Sequence, residues 1–191
     1  MLTASVRYRM MPYAPALAAA GIQLRYLPFA TPQLQHLLYQ PKHYPQKIVA
    51  MLGALTQWLV KLPRRPAAVI VQREAALIGA PMIERWFSQR VPVIFDFDDA
   101  IYLRNASPSE NPEDYRSSTR QTKFRRTILG ADLVMSSGPV LDAYVKSIAP
   151  EKAGRIVPTA VDVSSIKAKD NWEFTDVPVI GWTGTKSTIR Y

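Results

Sequence analysis

A chain of 191 residues, 48% of them hydrophobic, holds enough apolar side chain for one buried core with residues to spare, since a domain takes roughly 100–150 residues. It has no cysteine, which excludes disulfide scaffolds, thiolate zinc sites and thioredoxin-type redox motifs, and suits a reducing, cytoplasmic setting. Its formal charge of +9 and pI near 9.9 point to an anionic substrate, partner or surface.

In chain order, residues 10–20 are rich in alanine and leucine and predict a helix stopped by Gly21, with a strand over residues 22–27 after it. Pro28, Pro32, Pro41 and Pro45 leave room only for a short helix over residues 33–39. A helix over residues 47–61, a strand over 67–73 and a helix over 81–89 come next, then a strand from Val93. Residues 105–118 are polar and read as a loop ahead of a basic helix over 118–129. A strand over 131–137, a helix over 140–148 and a short strand over 155–159 complete the series. Strands alternating with helices predict an α/β fold with a Rossmann-like parallel sheet over residues 1–163. Residues 164–177 read as a polar linker, and residues 178–191 as the first strand and glycine turn of a second domain, too short to close a core alone.

The run Val93-Ile94-Phe95-Asp96-Phe97-Asp98-Asp99 carries the strongest functional signal, because three carboxylates end a strand that reads as buried on both faces. Ligands of open parallel sheets bind beyond the strand carboxyl ends. The structural alternative is one aspartate capping a helix and two that are solvated. Arg7, Arg9, Gln72 and Arg73 are further polar candidates, the last two closing the preceding strand at the same sheet edge. His36 and His43 lie in a Pro- and Gln-rich stretch without metal-ligand spacing, and no metal site is expected. The cations lack the interleaved aromatics of a nucleic-acid motif, so nucleic acid is not an expected partner. Arg7 and Arg9 interrupt the apolar N-terminus, which argues against a signal peptide.

Taken in order, Ser5-Val6-Arg7-Tyr8-Arg9, Leu17-Ala18-Ala19-Ala20-Gly21-Ile22, Val71-Gln72-Arg73-Glu74, Phe95 to Tyr102, Ala131-Asp132-Leu133-Val134, Val157 to Asp162 and Ile180 to Thr188 resemble the two-domain GT-B glycosyltransferases, in particular the retaining family-four group. The resemblance implies transfer of a sugar, of hexosyltransferase type, from a nucleotide-sugar donor to a glycan or lipid-linked acceptor. It places the acceptor on the first domain, and it implies no metal. It puts Arg7 and Arg9 at the interdomain cleft and Gly181, Thr183, Gly184 and Lys186 against the donor diphosphate. Backbone N–H groups at glycines and a lysine suit that contact. Asp96, Asp98 and Asp99 are then candidates to orient an acceptor hydroxyl or accept its proton. Members of the family also carry a strand and glycine loop ahead of the segment matching Ser5 to Arg9, and a pair of donor-binding glutamates deep in the second domain. Neither is found in this sequence, so the expectation is an N-terminal domain fragment without transferase activity on its own.

Asp96-Phe97-Asp98 also fits a metal-binding Asp-x-Asp of another glycosyltransferase fold. A haloacid-dehalogenase nucleophile would want threonine four positions after Asp96, where Ala100 stands. A Walker loop is excluded by Thr185 before Lys186. The apolar helix with Trp58 and the flanking Lys47, Lys61, Arg64 and Arg65 reads as a core helix against the sheet, or as a surface helix meeting anionic lipid in a peripheral enzyme. The non-enzymatic alternative is a basic Rossmann-like module that binds an anionic glycan, lipid or nucleotide.

Overall fold

The computed structural model describes residues 4–40, 42–63, 65–73, 81–104, 111–161, 163, 166–168, 177 and 181. Four strands, β1 (Val69–Gln72), β2 (Val93–Phe97), β3 (Leu133–Ser136) and β4 (Gly154–Ile156), form one parallel sheet in the order β1-β2-β3-β4. The connections carry helices α5 (Met82–Ser88), α6 (Ser118–Gly130) and α7 (Pro139–Ile148). The fold is thus α/β with a Rossmann-like parallel sheet.

Each connection steps one strand over in the same direction. Right-handed crossovers then stack α5, α6 and α7 on one face of the sheet. The core agrees: Phe87 of α5, Phe124 and Ile128 of α6 and Val145 of α7 cluster with Val71, Val93, Phe95, Phe97 and Val134. Val71, Phe95 and Val134 are register partners across three strands, so they share one face of the pleat. Phe124 meets Phe95 and Phe97 edge-on, with ring centroids 5.8 and 5.0 Å away, an arrangement that suits the ring quadrupoles. Gln72, Asp96 and Met135 lie in register on the opposite face, where α1 (Ala4–Arg9) reaches the sheet.

Local chemistry accounts for the helix ends. Thr31 caps α3 (Pro32–Tyr39) by accepting from the Leu34 N–H at 3.2 Å, and Ser117 caps α6. The helix expected over residues 10–20 is instead a 3₁₀ turn, Met11–Tyr13, followed by α2 (Ala14–Ala19). Pro12 and Pro15 explain the break, since each lacks an N–H and fits only a first helical turn. Gly21 stops α2 as expected, at φ 78°, with its N–H on the Ala18 carbonyl and the Ile22 N–H on that of Leu17.

Residues 22–27 form no strand. They join no ladder among the described residues, and the Leu27 carbonyl accepts from the Trp58 indole of α4 (Tyr44–Lys61) at 3.2 Å. A β-like side-chain pattern cannot supply a neighbouring strand, and this segment is used as a strap across α4. The strand expected over residues 155–159 ends at Ile156, because Pro158 cannot donate to a ladder. Of the loop expected over 105–118, residues 105–110 lie outside the described residues and Pro112–Tyr115 is a 3₁₀ turn. The expected linker and second-domain start, residues 164–191, are described only at residues 166–168, 177 and 181.

Candidate functional site at the strand carboxyl ends

Parallel strands in register deliver their last residues to one edge. Gln72, Asp96 and Met135 stand in line, followed by Phe97 beside Ser136. The chain then leaves the sheet through Arg73, Asp98 and Asp99, and Ser137. Arg73 adopts φ 61°, in the left-handed region, while its N–H donates to the Asp96 carbonyl at 2.7 Å. Arg73 thereby leaves the strand conformation at the sheet edge.

Arg9 ties the edge together. It is buried, with 2% of its surface exposed, and Asp96 is fully buried. Its Nε donates to Asp96 Oδ2 at 3.0 Å and its Nη2 to Oδ1 at 2.5 Å, a bidentate pair between residues 87 positions apart. Nη1 donates to the Val157 carbonyl at 2.7 Å and to Thr159 Oγ1 at 3.3 Å. One guanidinium therefore joins α1, β2 and the segment after β4. The hydrogen bond to Asp96 raises the Arg9 pKa above its ordinary value, against the opposing effect of burial. Both Asp96 oxygens are committed to Arg9, with the Gln72 amide 3.4 Å from Oδ2. In this arrangement Asp96 is a positioning residue.

Asp98 is placed differently. It is half-buried, its carbonyl accepts from Ser137 Oγ at 3.2 Å, and its Oδ1 is buried without a hydrogen-bond partner among the described residues. Gln72 Oε1 and Ser136 Oγ are in the same condition. Gln72 shares the α1 face of the sheet with Asp96, whereas Ser136, in register with Phe97, turns to the face that packs on α5, α6 and α7. Buried polar groups ordinarily have partners, so Gln72 Oε1 and Asp98 Oδ1 are the atoms at this edge that a ligand hydroxyl could satisfy. Asp99 is exposed and pairs with Arg73 at 3.2 Å, a solvated contact that contributes little.

The structure thus brings together Arg9, Gln72, Arg73, Asp96, Asp98 and Asp99. Arg7, two positions from Arg9 on α1, is exposed on another side of that helix. Gly181 is exposed, and Thr183, Gly184 and Lys186 lie outside the described residues. Ser136, Ser137 and Thr159 were not singled out from sequence. The rule that singled out Asp98, a polar residue just past a buried parallel strand, also fits Ser136-Ser137. Among the described residues no three His, Asp or Glu side chains gather as a metal ligand set, and no helix is long and apolar enough to cross a membrane. Comparison with protein-family models, curated proteins and solved structures finds no match to this chain.

Proposed function

We propose that this chain is the acceptor-side part of a GT-B-type glycosyltransferase, which moves a sugar from a nucleotide-sugar donor to a glycan or lipid-linked acceptor. The observation that carries the reading is the pair of buried oxygens, Gln72 Oε1 and Asp98 Oδ1, that lack a hydrogen-bond partner among the described residues at the carboxyl ends of neighbouring strands in a parallel sheet. An acceptor sugar offers hydroxyl donors, the groups such oxygens accept from. The order of the sequence segments set out above supplies the reaction class. Asp98 is then the residue that orients the reacting hydroxyl and receives its proton, while Asp96 and Arg9 hold the edge in shape.

Ligand-observed NMR with panels of oligosaccharides and nucleotide sugars tests this. A neutral glycan is expected to bind the wild-type chain and to lose about tenfold or more in affinity in D98N, whose amide replaces one acceptor by a donor. Absence of glycan binding, or equal binding by D98N, overturns the reading. Binding of anionic ligands alone, indifferent to Asp98, would favour the non-catalytic basic module that the +9 charge also suits.

A further inference from the structure

The outer face of α4 is apolar and uncovered. Tyr44, Ile48, Val49, Leu52, Leu59 and Val60 are 51–86% exposed, and at 3.6 residues per turn they fall in one sector of about 160°. Thr56 is the polar residue within it. Ala54 and Trp58 occupy the opposite side and are buried, with Trp58 edge-on to Phe29 and Phe87. The helix therefore packs on the protein by its narrow side and presents its broad apolar side to the surroundings, the reverse of an ordinary core helix.

The charge distribution identifies what that face meets. The first Asp or Glu in the sequence is Glu74, and nine of the 24 Lys and Arg residues precede it. The first 73 residues therefore carry the whole formal charge of +9, and the rest of the chain is balanced. α4 contains no acidic residue, and Lys42, Lys47, Lys61 and Arg65 stand at or beyond its ends. Lys47 and Lys61 fall on the Ala54–Trp58 side of the helix, so the apolar sector is free of charge with cations behind it and at its ends. That distribution matches a bilayer surface, in which acyl chains lie beneath anionic headgroups. A second copy of the chain is a poor occupant, because pairing two α4 faces would bring two +9 segments together. The helix has 18 residues, short of the roughly 20 apolar residues a span requires.

We infer that α4 is a docking surface that lies in the plane of an anionic membrane, with Ile48, Val49, Leu52 and Val60 in the acyl boundary and the exposed Lys42, Lys61 and Arg65 at the headgroups. The inference stands without the transferase reading, since its readout is vesicle binding and not sugar binding.

Because the chain has no cysteine, single substitutions can carry one environment-sensitive dye each. Labelled L52C is expected to brighten and shift to the blue on phosphatidylglycerol-containing vesicles at low salt, and labelled Q57C, at the polar border of the helix, to respond weakly. The double variant I48D/L52D is expected to weaken vesicle co-sedimentation by about tenfold or more. Its far-UV circular dichroism should be unchanged, because both sites are exposed. Vesicles of phosphatidylcholine alone should bind less, and added salt should weaken the anionic case. No vesicle binding, binding unaffected by I48D/L52D, or an unchanged L52C signal on co-sedimenting protein overturns the inference. So does a dimer in sedimentation velocity that I48D/L52D abolishes while vesicles fail to bind, which would assign the face to a second copy. Capture of an acidic protein through the same face, without vesicle binding, overturns it equally.

Discussion

Replacing Arg9 by alanine tests how the sheet edge is built. Asp96 is fully buried and receives two hydrogen bonds from Arg9, so R9A leaves an uncompensated carboxylate in the interior and releases the Val157 carbonyl and Thr159. Breaking a buried pair from one side costs about 3–5 kcal/mol. At about 2–4 °C per kcal/mol for a chain of this size, the melting temperature should fall by about 6–20 °C. D96N should be milder, because the amide oxygen still accepts from the guanidinium. The apolar double replacement R9M/D96L should destabilise less than R9A does, since it removes both charges and leaves neither buried alone. Urea unfolding of the four proteins, followed by circular dichroism, gives the comparison. The raised Arg9 pKa means the guanidinium's share of this stability is fully present below its ordinary value and lost only as pH rises through the still higher folded value. The R9A effect should therefore be constant between neutral pH and moderately alkaline pH. A loss below about 1 kcal/mol for R9A, or a double variant worse than both singles, would refute the reasoning.

Phe124 closes an aromatic cluster with Phe95, Phe97, Tyr102 and Tyr144, so F124A should cost about 3–5 kcal/mol in urea unfolding, whereas F124L should cost much less. Burial raises the Tyr102 pKa above its ordinary 10.0, with nearby Tyr144 adding to the effect. The folded state therefore holds that proton more tightly, and stability present below pH 10.0 should decline as pH rises through the folded value. The decline should flatten in Y102F, and an identical pH slope for the two proteins would contradict it. Gly21, at φ 78°, should lose about 1–2 kcal/mol on replacement by alanine, although a Cβ there meets open space. A neutral result in thermal melts would show that α2 does not depend on this stop.

Much of the fold was legible in the sequence because its signals are local. The apolar runs at Val69–Gln72, Val93–Phe97 and Leu133–Ser136 lie between helical patterns, and that alternation leads to a parallel sheet. α4 begins at Tyr44, three residues before the expected Lys47, because Pro45 fits a first turn. Residues 22–27 show the limit of local reading, since a strand needs a neighbour and none among the described residues pairs with this segment. The candidate site was legible to the same degree. Asp98 follows from its place after a buried strand, whereas the commitment of Asp96 to Arg9 links residues 87 apart and leaves no mark in the sequence around either. The exposure of the α4 apolar face was equally hidden, because an apolar helical stripe looks the same whether it turns inward or outward.

The central claim is that the strand carboxyl ends around Asp98 form the ligand site. Chemical-shift mapping of the isotope-labelled chain with the tightest-binding glycan from the panel tests it most directly. The account predicts that the largest shifts fall on the amides of Arg73, Asp98, Asp99, Ser136 and Ser137, and that they disappear in D98N while the spectrum elsewhere is preserved. Largest shifts on α4 or on the loop around Pro150–Ala153, with the strand ends unmoved, would contradict it.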